Sequence, residues 1–340
     1  MTTRKLLGRG LALAAVLAAS LGLSSASLAW GSSGHRIVGT VAVKALPNDV
    51  PAFVRKAAAD IGELSREPDR TKGSGKLHDE MREGSHFIDL DDEGKAMHGP
   101  HIDALPPTRQ LYDDALRQAG STLTKAGWLP YSIADAYADL QTDFALWRVA
   151  KVGEKRAKTR AQRAWFKADR SRREQLILVD IGELSHWVGD GSQPLHTSIH
   201  YNGWGDYPNP RGFTTERIHS VFEGAFTAMN VKEADVAAQL APYEACTAGI
   251  ERCTAAYIKT SWSHTVPLYE LEQAGAFKGN DPRGKAFATA RLAAGASKLR
   301  DLITDAWRAS GGLQVGWPKV AVADVEAGKV DPWEALYGKD

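Results

Sequence analysis

Apolar side chains recur every three to four residues over most of the chain after residue 30, the spacing of one face of an α-helix. The pattern predicts helices over 35–46, 51–64, 107–126, 130–150, 171–189, 215–230, 243–270 and 283–309. Leu176, Leu178, Ile181, Leu184 and Val188 show it within one of these segments. No convincing strand-like alternation is present, and no repeat of 20–50 residues. Gly and Pro mark two long loops, 65–106 and 191–214. The expected fold is all-α, a single mainly helical domain with two long loops of the length that usually carries function.

The first 29 residues depart from that pattern. Arg4, Lys5 and Arg9 precede an apolar run from Leu11 to Leu23, and Ser27-Leu28-Ala29 is a small-x-small site. This order is that of a secretory signal; the other reading is a membrane anchor, for which the run is short of about 20 residues. Residues 1–29 are therefore read as a signal peptide and 30–340 as the functional domain, exported to the periplasm or the medium. Past residue 30 no apolar run is long enough to span a bilayer, so an integral membrane protein is not expected.

Composition narrows the remaining classes. Of 340 residues, 42 are Lys or Arg and 41 are Asp or Glu, which excludes a general polycation; 43% are hydrophobic, which excludes a disordered chain. Loss of the leader leaves 39 bases against 41 acids. Two cysteines cannot build a disulfide scaffold. Cys246 and Cys253 stand seven apart, a spacing open to a local disulfide after export or to two buried thiols on one helix. The segment 151–173 is strongly basic, and reads either as a polyanion contact or as a solvated linker or helix face.

Chemistry concentrates in the histidines. His186 and Asp190 lie four apart, one turn apart on one helix face. Gln193-Pro194-Leu195-His196 follows, and Pro194 ends the helix so that His196 turns back. His219 and Glu223 repeat the four-residue spacing. One such pair is an ordinary surface hydrogen bond; two pairs plus His196 within 38 residues point to metal, and imidazole with carboxylate without thiolate suits catalytic zinc. Asp69, His86 and His35 are weaker signals taken singly. Cleavage before Trp30 would expose an α-amine that, with its carbonyl, could chelate a metal beside His35.

Trp30-x4-His35, Asp69, His86-Phe87, the string HWVGDGSQPLH and His219-x3-Glu223 resemble, in the same order, the trinuclear-zinc phosphoesterase superfamily. That superfamily holds secreted single-strand nucleases and bacterial zinc-dependent phospholipases C, and the resemblance covers most of residues 30–340. It implies an all-α fold and three Zn2+. Asp69, His86, His186 and Asp190 would hold the first, His196, His219 and Glu223 the second, and Trp30, His35 and Asp190 the third. Three zincs against three carboxylates leave a net positive cluster that draws a phosphodiester, with zinc-activated hydroxide as nucleophile.

The two branches compete for the substrate. The short Trp30–His35 spacing, Lys72 near the phosphate, Asp89 beside the attacking water and Phe87 as a base-stacking ring match the nucleases. In that reading Asp69, Asp89 and Lys72 serve catalysis, and Phe87 and Lys72 bind single-stranded DNA or RNA, an endonuclease or 3'-nucleotidase activity. Lys72 can equally be an ordinary loop lysine, and Phe follows the same histidine in the phospholipases. Tyr207-Pro-Asn-Pro-Arg-Gly-Phe213 and the helix leading to Glu223 look like the phospholipase branch, whose substrate is a phosphatidylcholine-like lipid. The loop Asn202-Gly203-Trp204-Gly205-Asp206 stands where the nucleases usually carry Gly-Gly-Asn. A zinc-binding protein without catalysis is the third class, against which stands the absence of the Cys-rich closed ligand sets of structural zinc. No stable protein partner is implied.

Overall fold

The computed structural model describes residues 30–338; the expected leader, 1–29, lies outside them. In chain order the helices are α1 (Gly31–Lys44), α2 (Ala52–Arg55), α3 (Ala58–Leu64), α4 (Glu67–Arg70), α5 (Lys76–Arg82), α6 (Arg109–Gln118), α7 (Leu123–Ala126), α8 (Leu129–Arg156) and α9 (Arg160–Ser192). After them come α10 (Thr227–Asn230), α11 (Glu233–Ala237), α12 (Ile250–Trp262), α13 (Thr265–Gln273), α14 (Pro282–Ser310) and α15 (Val322–Ala327). The fold is mainly helical, as expected. Strand is confined, among the described residues, to a two-stranded antiparallel ribbon, Gln314–Val315 with Val320–Ala321, in a tail where the sequence predicted no element.

The frame is the hairpin of α8 and α9, against which α14 and α1 pack. Helix α9 starts from a capping box: Thr159 Oγ1 accepts from the Gln162 amide at 3.1 Å and Gln162 Oε1 accepts from the Thr159 amide at 3.3 Å. Its first half is amphipathic, and from Leu184 to Ser192 every residue is buried. A helix buried all round must receive neighbours on every face, so this end becomes the centre of the molecule. One core runs from Trp30 and Val38 through Leu140, Ile181 and Leu184 to Leu299 and Ile303. A small second cluster, Val149, Val315, Val322 and Val325, seats the C-terminal tail on α8.

Several helices differ from the sequence pattern, each for a local reason. The 51–64 segment divides into α2 and α3, and 107–126 divides into α6 and α7 at Gly120, whose φ is 77°. The helix expected over 243–270 starts only at Ile250. Before it Pro242 lacks a donor, Gly249 has φ 93°, and carboxylates of α14 take the backbone amides: Asp301 that of Glu244 and Asp305 that of Cys246. Cys246 and Cys253 are joined in a disulfide, the first of the two alternatives. Residues 215–218 are irregular, and Val221–Phe226 is a π-helix that runs into α10. The 65–106 loop contains α4 and α5.

The basic segment 151–173 is helix for most of its length, and much of its charge is internal. Arg170 pairs with Glu154 at 2.8 Å and Glu174 at 2.6 Å, Arg173 with Asp143 at 2.8 Å, and Lys158 with Asp331 at 2.8 Å. No helix among the described residues is long and apolar enough to cross a membrane.

Candidate metal centre and cleft

The buried end of α9 brings His186 and Asp190 to the middle of the core. The last turn of a helix carries partial negative charge from its free carbonyls, which favours a cation beside Asp190. Helix α1 lays His35 across this turn, the ring stacked on His186 with centroids 4.0 Å apart. That approach depends on Gly189, where a Cβ would stand 2.9 Å from His35 Nδ1. Helix α4 supplies Asp69, and the 3-10 turn Glu83–His86 supplies His86. After α9 the Gln193 side chain accepts the Leu195 amide at 2.8 Å and Pro194 opens a 3-10 turn, which reverses the chain and returns His196 to the site. His219 and Glu223 arrive from the start of the π-helix.

These side chains form three buried donor groups: His35, His186 and Asp190; Asp69, His86 and His186; and His196, His219 and Glu223, each with its ligand atoms within 4.8 Å of one another. His35 Nε2 is 3.3 Å from Asp190 Oδ1, and His86 Nδ1 is 3.1 Å from Asp190 Oδ2 and 3.0 Å from His186 Nε2. His219 Nε2 is 2.8 Å from Glu223 Oε2 and 3.1 Å from His196 Nε2. The Trp30 backbone nitrogen meets Glu223 Oε2 at 3.0 Å, and its indole donates to Gly189 O at 2.8 Å.

The hydrogen bonds behind the rings decide what the front of each ring offers. His186 Nδ1 faces the Ser65 carbonyl at 2.9 Å, His196 Nδ1 the His86 carbonyl at 2.6 Å and His219 Nδ1 the Tyr201 carbonyl at 2.8 Å. A carbonyl only accepts, so each Nδ1 carries the proton and each neutral ring turns an Nε2 lone pair into the cluster. Those lone pairs meet one another and three carboxylates in the dry interior. Both nitrogens of His35, Asp190 Oδ1 and Glu223 Oε1 are buried without a hydrogen bond. Such an arrangement demands cations, and the donor set fits divalent metal ions.

Without metal, protons take part of that role. Burial works against a charged His196, but Asp190 and Glu223 outweigh it and lift its pKa to about 9. His186 is raised likewise against burial, chiefly by Asp190. Burial lowers His35, reinforced by His186, and takes His86 to about 3. Burial also opposes the carboxylate charges, yet His186 and His196 hold Asp190 well below the usual range, and His219 with His196 holds Glu223 at about 2. Asp69 is lowered against burial by His186 and Lys72.

The centre opens on a cavity of about 550 Å3, whose walls include His86, His196, His219, Phe87, Asp89 and Lys72. Lys72 Nζ is bound to Asp69 Oδ1 at 2.6 Å. Burial raises the Asp89 carboxyl to about 8. Phe87 is half-buried on the cavity wall. Tyr201 also lines the cavity, and α5 contributes His78 and Arg82 while exposing Leu77 and Met81.

Sequence reasoning did not find the supporting atoms. Gln193 Nε2 donates to Glu223 Oε2 at 3.1 Å; it stands inside the HWVGDGSQPLH string, and its place before the reversing proline was the available signal. The Ser65, His86 and Tyr201 carbonyls have no sequence signature. His200, outside the ligand pattern, is buried between the Trp204 carbonyl at 2.8 Å and Asp92 at 3.0 Å and braces the loop that holds Tyr201. Compared with known proteins, the chain matches no family model and no curated protein sequence.

Proposed function

We propose that the protein is a zinc-dependent hydrolase of phosphate esters, of the trinuclear-zinc superfamily that its motifs resemble, and that it cleaves single-stranded nucleic acid. The supporting observation is that a buried multi-metal donor set borders a cavity lined by Phe87, Asp89 and Lys72. The ligands are assigned as the motifs imply: Asp69, His86, His186 and Asp190 for the first zinc; His196, His219 and Glu223 for the second; Trp30, His35 and Asp190 for the third. Bound zinc supplies Lewis acidity toward phosphate oxygens and makes water acidic enough to act as a nucleophile near neutral pH.

The chain's own residues do the rest. Asp190, between the groups, carries the charge that holds the centre together. Asp89, on the cavity wall, orients the attacking water and takes its proton as a carboxylate, the form that nearby bound cations favour. Asp69 fixes the Lys72 ammonium, which faces the phosphate, and Phe87 stacks the base. Export through residues 1–29 agrees with the Cys246–Cys253 disulfide, a bond at home in oxidising compartments.

One observation favours phospholipase C as the second reading. Leu77 and Met81 are 73% and 69% exposed on the helix that rims the cavity, a lip suited to a lipid surface. Purified protein should be assayed on single-stranded DNA, RNA and phosphatidylcholine side by side, with and without chelator. Chelator-sensitive turnover of nucleic acid supports the proposal; turnover of phosphatidylcholine alone transfers the protein to the second reading. Bound zinc without turnover of any phosphate ester leaves a non-catalytic binder.

A further inference from the structure

The cavity is larger than one phosphodiester needs, and its wall beyond the metal centre carries both cations and carboxylates. Lys125 lines it from α7. Lys72, the cation nearest the centre, is engaged by Asp69, whereas Lys125 forms no ion pair among the described residues. Arg82 lines the same cavity from α5, and its nearest carboxylate, Glu183, is 4.0 Å away. The acids of the cavity wall are Asp79, Glu83 and Asp89; Asp79 already accepts the Gly73 amide at 3.0 Å.

The placement of Lys125 relative to Phe87 is fixed by backbone contacts. The Asp89 amide donates to the Ala126 carbonyl at 2.9 Å, and the Leu129 amide donates to the Phe87 carbonyl at 3.0 Å. Between them Gly127, with φ 71°, packs so closely that a Cβ would lie 2.1 Å from the Phe87 carbonyl oxygen. Lys125 is two residues before this junction. The extended segment containing Phe87 and Asp89 and the turn containing Lys125 are therefore tied together by backbone contacts, and Phe87, Asp89 and Lys125 all line the cavity.

We infer that Lys125 is a specificity-determining residue that binds a second phosphate of the substrate, the one adjoining the scissile phosphodiester, so that the site selects a polyanionic strand over a molecule with a single phosphate. This inference rests on the nuclease reading above and deepens it. A strand with its scissile phosphate at the metal centre and a base on Phe87 presents its next phosphate to the wall that carries Lys125. A phospholipid or a simple phosphodiester has no second phosphate to place there. Lysine on a phosphate acts as a point charge, so arginine can replace it but glutamine cannot.

The test compares wild type, Lys125→Gln and Lys125→Arg, each zinc-loaded, on oligothymidylate and on bis-p-nitrophenyl phosphate. In Lys125→Gln the ratio of kcat/KM for the oligonucleotide to that for the small diester should fall roughly three- to tenfold, carried by KM. The slope of log kcat/KM for the oligonucleotide against log salt should flatten by about 0.7, one phosphate contact on a single strand. Lys125→Arg should retain both values. If wild type cleaves the oligonucleotide and Lys125→Gln keeps the same ratio and slope, the inference fails and the nuclease reading stands. If wild type cleaves the small diester but no oligonucleotide, both fail.

Discussion

Loading the centre with zinc should expel protons, and by an amount that the geometry sets. In the metal-free protein His196 titrates at about 9, because Asp190 and Glu223 outweigh the cost of burying its charge. At pH 7 an incoming metal must displace that proton, which costs roughly 3 kcal/mol relative to pH 9, or about a hundredfold in affinity. Zinc affinity at this site should thus rise about tenfold per pH unit from 7 to 9. His186, also raised, adds to the proton count, whereas His35 and His86, both lowered, add nothing. Titrating zinc into chelator-stripped protein with a pH indicator at pH 7 should release roughly one to two protons per chain.

Stability supplies the control with its own sign. His196 has a folded pKa above its ordinary value of 6.5, so its contribution to the metal-free fold is complete below about pH 6.5. That contribution, roughly 3 kcal/mol, is lost as pH climbs through about 9, and the Tm of stripped protein should fall over this range. Glu223, depressed to about 2, acts oppositely: its contribution is present above pH 4.5 and is lost as pH drops toward 2. Zinc uptake that releases no protons and is equally tight at pH 7 and pH 9 would refute the reasoning, because His196 would then not hold the proton that zinc must displace.

Three further outcomes are expected. Asp190→Asn keeps the shape but removes the charge shared by the donor groups, so phosphodiester turnover should drop by orders of magnitude; His264→Ala, on a half-buried ring outside the centre, should change it little, and equal rates for the two variants would contradict the assignment. Gly189→Ala places a methyl against His35, 2.9 Å from its Nδ1, and should lower bound zinc in elemental analysis while circular dichroism stays helical. A chain processed to start at Trp30 should bind roughly one zinc more than the same chain with one extra Gly in front, since only the former offers an α-amine, whose pKa near 8 lets metal displace its proton; identical zinc content would show that the Trp30 nitrogen, 3.0 Å from Glu223, only donates a hydrogen bond.

What could be read from the sequence was whatever is written within one helical turn. His186 and Asp190 declare themselves by spacing, and Pro194 announces the reversal that brings His196 back. The helical class followed from apolar periodicity alone. Lost from view were effects carried by distant atoms. Residues 243–249 are periodic enough for a helix, but Asp301 and Asp305, more than 55 residues away, bind their amides in an irregular path. The basic run 151–173 could be read as a polyanion contact or as a solvated helix face, and the sequence did not show that Arg170, Arg173 and Lys158 pair with Glu154, Asp143 and Asp331. Gly189 was visible in the string, but its purpose, room for a ring from α1, belongs to tertiary packing.

The wide turn at Val221–Phe226 bears on how this chain can change length. A π-helix is an α-helix that has taken in one residue more than its hydrogen-bond ladder needs. Removing one residue there would restore the tighter ladder and re-aim the side chains within the turn, since neighbouring residues of an α-helix stand about 100° apart around its axis. Glu223 would leave His219 and Gln193, and Phe222 would leave the Trp30 ring it now meets at 5.5 Å. Elsewhere on the surface, a single-residue deletion shortens a loop; here it would remove a carboxylate from the centre. Homologues that lack one residue in this stretch should therefore have lost the third donor group together with the turn.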